Sequence, residues 1–142
     1  MRFLRKLMTA NGLGAALLFT GITASAEELV LAENGKSDYV IVIPENAPRQ
    51  VQRGADDLRS YLKQMTGAEL PVCTEDKVPP GKAQIALGAT QTAKAAGIAS
   101  EQLKREERIL KTSGKNLILT GGPGNGTLSA VYEFLEKQGG CD

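Results

Sequence analysis

A β-branched run followed by an amphipathic helical pattern constrains the fold of this chain more than any other feature. Residues 38–44 read DYVIVIP, and this apolar run ended by proline predicts a strand buried on both faces. The next residues, ENAP, predict a turn, and Pro48 suits the first turn of a helix. Apolar residues then recur in steps of four and three, as on one helical face: Val51, Ala55, Leu58, Leu62 and Met65. Gly67 supplies the left-handed residue that ends such a helix.

Four more strand-like runs come after this first strand and helix. Residues 68–74 (AELPVCT) and Ala83–Ala89 (AQIALGA) are short and mostly apolar. Residues 107–112 (ERILKT) and 116–121 (NLILTG) flank Ser-Gly-Lys, so they predict a hairpin with a short glycine turn. Together with residues 38–44, these runs predict a five-stranded sheet.

Two more helices are predicted among these strands. Residues 90–98 (TQTAKAAGI) indicate a short helix, with Thr90 as its cap and Gly97 as its stop. A longer helix is predicted over residues 127–138, with an apolar face made of Leu128, Val131, Tyr132 and Leu135. The order of elements predicts one domain of the α+β class, a mixed β-sheet with two main helices packed on it.

Residues 1–26 have the layout of a secretory signal peptide. A basic start at Arg2, Arg5 and Lys6 precedes an apolar stretch, and Ala24-Ser25-Ala26 is a small-residue cleavage site. A membrane anchor is the alternative, but the apolar stretch is short and rich in glycine for that role. We therefore expect export to the periplasm or the cell exterior. Cleavage would leave residues 27–142, with no membrane association.

Charge and composition exclude several classes of function. The net charge of +1 at pH 7 becomes weakly negative once the basic leader is removed, so nothing attracts nucleic acid or an anionic membrane. Histidine is absent, which removes Ser-His-Asp and Cys-His nucleophiles and imidazole metal sites. Cys73 and Cys141 alone cannot complete a zinc site. Export permits a disulfide between them, but the sequence does not decide whether one forms. We expect no metal and no cofactor.

A glycine-rich loop in LILTGGPGNGT (residues 117–127) separates a predicted strand from a predicted helix, as in many phosphate-binding sites. The interval from Gly121 to Gly126 fits a Walker A loop, but the lysine of that motif is missing, and the glycine spacing does not fit a dinucleotide fingerprint. We therefore interpret the loop as a tight corner, with Asn125 or Thr127 as helix cap. Asn125-Gly126-Thr127 is also an N-x-T sequon. An anion site at the helix start is the alternative, with candidate residues Gly122, Gly124, Asn125, Gly126 and Thr127.

Paired acidic residues are the other candidates for chemistry, since glycoside hydrolysis uses two carboxylates across a sugar. The pairs are Asp56 with Asp57, Glu106 with Glu107, and Glu133 with Glu136. Their predicted places on helix surfaces or strand edges favour solvated surface, so we expect no catalytic residue. Tyr61 and Tyr132 lie near apolar helical faces. Because aromatic residues are only 4% of the chain and tryptophan is absent, direct carbohydrate binding is not favoured.

Three stretches together carry a resemblance to a known family: residues 39–72, 83–90 and 109–141. Their signals are IPENAP, YLKQMTGAELPV and LILTGG with GTLSAVYEFLE shortly after it. This set resembles the N-terminal accessory domain of family 67 α-glucuronidases and of related large bacterial proteins. A similar domain precedes the barrel of family 20 β-hexosaminidases. The resemblance implies a mixed sheet with two helices on one face, placed before a (β/α)₈ barrel that carries the catalytic groups. No catalytic residue of the family maps to this chain.

The resemblance leads to a functional expectation. We expect an exported, non-catalytic accessory domain of a carbohydrate-degrading glycoside hydrolase, truncated here before a catalytic barrel. Its partner would be that barrel, and it would serve polysaccharide degradation indirectly. One alternative is a free-standing secreted module that binds a glycan or a protein. Another is an enzyme that uses the glycine loop on a phosphorylated ligand.

Overall fold

The computed structural model describes residues 30–139, with side chains as far as Lys137. The predicted signal peptide and Cys141 therefore lie outside the described residues. Two single-turn 3₁₀ helices, Glu75–Lys77 and Ser100–Gln102, interrupt the connections. The strands and α-helices are β1 Tyr39–Ile43, α1 Arg49–Thr66, β2 Val72–Thr74, β3 Ala83–Leu87, α2 Gln91–Ala95, β4 Arg108–Ser113, β5 Asn116–Gly121 and α3 Gly126–Gly139.

The five strands form one mixed sheet in the order β2-β1-β3-β5-β4. The first four run parallel, and β4 pairs antiparallel with β5 through a two-residue turn in which Gly114 has a φ of 61°. Ile41 in β1 lies opposite Val72 on one side and Ile85 on the other. The predicted hairpin and the predicted α+β fold, a mixed sheet with two main helices packed on it, are confirmed.

The two long helices, α1 and α3, cover one face of the sheet, and α2 lies on the other. Ile118 in β5 packs with Ala93 of α2, whereas its neighbours Leu117 and Leu119 belong to the core beneath α1 and α3. The connection from β1 through α1 leads to β2, at one edge of the sheet. The connection from β3 through α2 leads to β5, towards the other edge. Because parallel crossovers are right-handed, connections that run in opposite directions lie on opposite faces.

Helix α1 follows its predicted pattern closely. Val51, Ala55, Leu58 and Leu62 are buried and Met65 is half-buried. Gly67 has a φ of 79° and its N–H donates to the carbonyl of Lys63 at 2.8 Å, which ends the helix as predicted. The strand β1 that precedes it is buried on both faces, also as predicted, with Val40, Ile41 and Val42 each no more than 1% exposed.

Helix α3 differs from its predicted apolar face. Val131 and Leu135 are buried, but the rest of the buried stripe is formed by Ala130 and Phe134. Tyr132 is 40% exposed, so its assignment to the buried face is wrong. Only a narrow stripe of a helix surface can face the sheet. In α3 the small Ala130 and the large apolar Phe134 occupy part of that stripe. The tyrosine is left beside α1, where its hydroxyl can reach a polar partner.

Strand β2 is shorter than predicted, with three residues instead of the run 68–74. Residues 68–71 form the last part of the connection from α1 to β2. The N–H of Ala68 donates to Thr66 Oγ1 at 3.0 Å, and the carbonyl of Pro71 accepts from Ile41 at 2.9 Å. Ala68 and Leu70 are nevertheless buried, so the apolar pattern here reports core packing rather than strand.

Cys73 in β2 is half-buried and forms no disulfide with another described residue. Burial, with a smaller contribution from Asp76, raises the pKa of its thiol above the ordinary value. Its pairing with Cys141 stays an open prediction. Within residues 30–139, no helix combines the length and the apolar character needed to cross a bilayer.

Replacing Leu58 by alanine tests the core beneath α1. Leu58 is fully buried, so Leu58→Ala should lower the free energy of unfolding by about 2–5 kcal/mol. Arg59→Ala, on the exposed side of the same helix, is the matched control and should change it by less than about 0.5 kcal/mol. Urea unfolding followed by circular dichroism measures both. Equal effects would contradict the helix orientation.

Tyr39 predicts how stability depends on alkaline pH. Its ring is buried, its hydroxyl donates to the carbonyl of Lys115 at 2.5 Å, and burial raises its pKa to about 12. Because the folded-state pKa lies above the unfolded value, the contribution of Tyr39 is complete below about pH 10. It is lost as the pH rises towards 12. Tyr39→Phe should flatten the fall in unfolding free energy over this range. An unchanged pH profile in the variant would refute the assignment.

Candidate functional site

The glycine loop, residues 121–126, is a tight corner between β5 and α3. A Cβ on Gly122 would lie 1.8 Å from the carbonyl oxygen of Lys104, and a Cβ on Gly121 would lie 2.3 Å from the carbonyl carbon of Gly126. Gly124 has a φ of 85°, which side chains rarely tolerate. A Cβ on Gly126 would likewise lie 2.7 Å from the carbonyl carbon of Gly121, so three glycines are needed for close backbone approach and one for backbone conformation.

The five candidate anion-site residues lie together at the start of α3. The N–H of Gly122 is already used, since it donates to the carbonyl of Glu107 at 2.9 Å. Gly126 begins the helix. Asn125 is exposed and Thr127 is buried, and neither side chain forms a hydrogen bond within the described part of the chain. The predicted side-chain cap is thus not formed among these residues.

The three acidic pairs have different surroundings. Glu106 and Glu107 are exposed in a turn before β4, where Glu107 accepts from the N–H of Lys104 at 2.6 Å. Asp56 is exposed, whereas its neighbour Asp57 is half-buried between α1 and α3. The third pair, Glu133 and Glu136, lies on the surface of α3 as predicted, with Glu133 half-buried and Glu136 exposed, and both side chains line a concave surface.

This concave surface, here called the tyrosine groove, runs along the outer side of α1 and α3. It has a volume of about 550 Å³ and is formed by Tyr61, Arg108, Ser129, Tyr132, Glu133 and Leu135, with Glu136 beside them. Tyr61 comes from α1, Arg108 from the first position of β4, and the others from α3. Tyr61 and Tyr132 are 41% and 40% exposed. They are the exposed large hydrophobic side chains of the described residues.

Two polar networks hold the side chains of the tyrosine groove. In the first, the hydroxyl of Tyr132 donates to Asp57 Oδ2 at 2.5 Å, and Arg53 Nε lies 3.8 Å from the same oxygen. In the second, Glu133 accepts a hydrogen bond from Arg108 and lies 2.8 Å from Lys137 Nζ. Each exposed ion pair contributes little to stability. Their effect is to fix the positions of the ring and the carboxylates.

The networks also set the ionisation of the groove. The hydrogen bond to Asp57, with burial second, raises the pKa of Tyr132 above its ordinary value. Lys137 and then Arg108 lower the pKa of Glu133 by hydrogen bonding to its carboxylate. At neutral pH the groove therefore presents a neutral phenol and an ionised carboxylate. In residues 30–137, no group of acidic and cysteine side chains is arranged to hold a metal ion.

Sequence reasoning missed the tyrosine groove for a definite reason. Its two key contacts join residues far apart in the chain, and Asp57 and Tyr132 are 75 positions apart. The available signal was the pair of tyrosines on two helices predicted to share one face of the sheet. Assigning Tyr132 to the buried face hid that signal.

No protein-family model matches the chain, and the chain matches none of the curated proteins at a significant level. The resemblance to glycosidase accessory domains therefore stays a prediction from the sequence motifs.

Replacing Gly122 tests the geometry of the corner. A Cβ at this position would overlap the backbone of Lys104, so Gly122→Ala should lower the unfolding free energy by about 3 kcal/mol or more. Gly97→Ala is the control, because Gly97 has a φ of 85° but open space around it, and should cost about 1 kcal/mol. Thermal and urea unfolding measure the difference. A Gly122→Ala chain as stable as the control would contradict the close approach.

Proposed function

We propose that the chain is an exported, non-catalytic accessory domain of a carbohydrate-degrading glycoside hydrolase. The observation that carries the proposal is the placement of both long helices on one face of a mixed sheet. This is the arrangement that the sequence resemblance to α-glucuronidase and β-hexosaminidase accessory domains implies. Its work would be structural, packing against a (β/α)₈ barrel that contains the active site and lies later in the same polypeptide.

The electrostatics of the described acidic residues support a non-catalytic role. A glycosidase acid needs a carboxyl group whose pKa is raised so that it holds a proton near neutral pH. The described carboxyl groups with shifted pKa values, Asp76 and Glu133, are both shifted downward, by hydrogen bonds to Thr74 and to Lys137 respectively. Asp57 is engaged by Tyr132 and Arg53. The lowered pKa values of Asp76 and Glu133 are the opposite of what a glycosidase acid needs.

A second candidate is a free-standing secreted module that binds a glycan or a protein. The tyrosine groove favours it, because two exposed tyrosines beside fixed polar groups are typical of recognition surfaces. The two candidates make different demands on the gene. The accessory role needs a barrel encoded in the same polypeptide, and the free-standing module does not.

The coding sequence downstream of codon 142 tests the accessory role. We expect genomic and transcript sequencing to reveal an open frame that continues into a (β/α)₈ barrel. A stop codon verified directly after Asp142 in the natural gene would contradict the accessory role and favour the free-standing module.

An activity assay tests the non-catalytic assignment. The purified chain without residues 1–26 should not hydrolyse aryl-glycosides, and Asp57→Asn and Glu133→Gln should behave identically to it. Release of the aryl group that either substitution abolishes would overturn the assignment. If hydrolysis persists in both variants, the assay is repeated with independently purified protein to find the source of the activity.

A further inference from the structure

We propose that the tyrosine groove binds a neutral saccharide chain. The ligand class is indicated by three features of the groove: two available aromatic rings, a balanced set of charges, and polar groups with unused hydrogen-bonding capacity. The inference goes beyond the structural role proposed above and rests on that proposal only for the choice of polysaccharide probes. It also reverses the sequence-based expectation that direct carbohydrate binding is not favoured.

The aromatic surface comes from one tyrosine on each helix. Tyr61 and Tyr132 line the same groove and each leaves about two fifths of its surface exposed. The C–H groups on the faces of a pyranose ring pack well against aromatic rings, and tyrosine adds a polar edge. The hydrogen bond from Tyr132 to Asp57 holds one ring in place before any ligand arrives. A fixed ring loses little side-chain entropy on binding, which favours recognition by a small number of contacts.

The charges around the groove favour an uncharged ligand. Three cationic side chains and three anionic ones line or brace it, so they balance: Arg53, Arg108 and Lys137 against Asp57, Glu133 and Glu136. A phosphorylated or strongly anionic ligand would need a net positive field, which this set does not supply. A neutral ligand with many hydroxyl groups needs donors and acceptors of both kinds close together, which this set does supply.

The polar side chains of the groove keep unused hydrogen-bonding sites that can bind the hydroxyl groups of a sugar. A carboxylate offers about four acceptor sites, and the carboxylate of Glu133 is engaged by Arg108 and Lys137. A guanidinium offers five donors, and the contact that fixes Arg108 uses its Nε–H. Ser129 adds a hydroxyl that can donate or accept. Adjacent hydroxyls of a sugar can therefore bond to Glu133 and Arg108 without breaking the ion pair.

The dimensions favour a saccharide over a docked protein. About 550 Å³ lies within the range of small-ligand sites. A stable protein interface buries about 800 Å² on each partner around an apolar centre. Two half-exposed tyrosines and the 3%-exposed Leu135 do not provide such a centre. The groove is thus suited to one or two sugar rings of a longer chain.

A titration of the exported, processed protein tests the inference. The probes are neutral xylo-oligosaccharides and chito-oligosaccharides at millimolar concentration, with inorganic phosphate as an ionic comparison. We expect one of the two sugar series to shift the amide resonances of residues 57–61 and 129–136, and phosphate to leave them unchanged. Tyr61→Ala should weaken the affinity by about tenfold or more through loss of one ring. Lys94→Ala, on α2 across the sheet, is the matched control and should bind as the unaltered chain does.

Four results would overturn the saccharide site. The first is no shift with either sugar series, the second is binding that Tyr61→Ala leaves intact, and the third is a shift confined to another surface. The fourth is concentration-dependent self-association through the groove, which would make it a protein interface. Because resonance mapping needs no variant, the test holds even if Tyr61→Ala fails to fold. A barrel encoded downstream together with no sugar binding would refute this site and leave the accessory role standing.

Discussion

The close packing of α1 against α3 over one face of the sheet is the constraint on which the rest of the structure depends. Gly54 lies at this contact, where a Cβ would already be in van der Waals contact, 3.4 Å from Val131 Cγ2 and 3.6 Å from Leu128 Cδ1. A side chain that extends beyond Cβ would find no free space between the helices and would push them apart. The same approach brings Asp57 within hydrogen-bonding distance of Tyr132, and so creates the tyrosine groove.

The two long helices are parallel because each comes after a parallel strand and packs back on the same face. The contacts between them move towards the carboxyl end of both helices, because Gly54 lies near Leu128 and Asp57 contacts Tyr132. The glycine loop lies where α3 begins, beside the carboxyl end of β5. The tyrosine groove lies further along the helices, with Arg108 at the start of β4 on one side of it. The loop turns the chain onto the sheet, whereas the groove is the surface suited to recognition.

The sequence was most informative where the pattern is local. The spacing from Val51 to Leu62 and the left-handed Gly67 predicted α1, and a short glycine turn predicted the final hairpin. Contacts between distant parts of the chain could not be predicted from the sequence in the same way. The order of the strands, the placement of α2 on the opposite face and the contact between Asp57 and Tyr132 depend on tertiary packing. The prediction for Tyr132 failed because periodicity alone did not show that Ala130 and Phe134 take the buried stripe of α3.

The juxtaposition of α1 and α3 supports both the fold and the candidate recognition surface, with or without a barrel in the same polypeptide. It is tested most directly by a nuclear Overhauser experiment on the chain from residue 27 onward, with labelled valine and leucine methyl groups. Strong cross-peaks are expected from the α-protons of Gly54 to the methyl groups of Val131 and Leu128. Their absence, with cross-peaks from Gly54 to other methyl groups instead, would contradict the helix packing and the groove that depends on it.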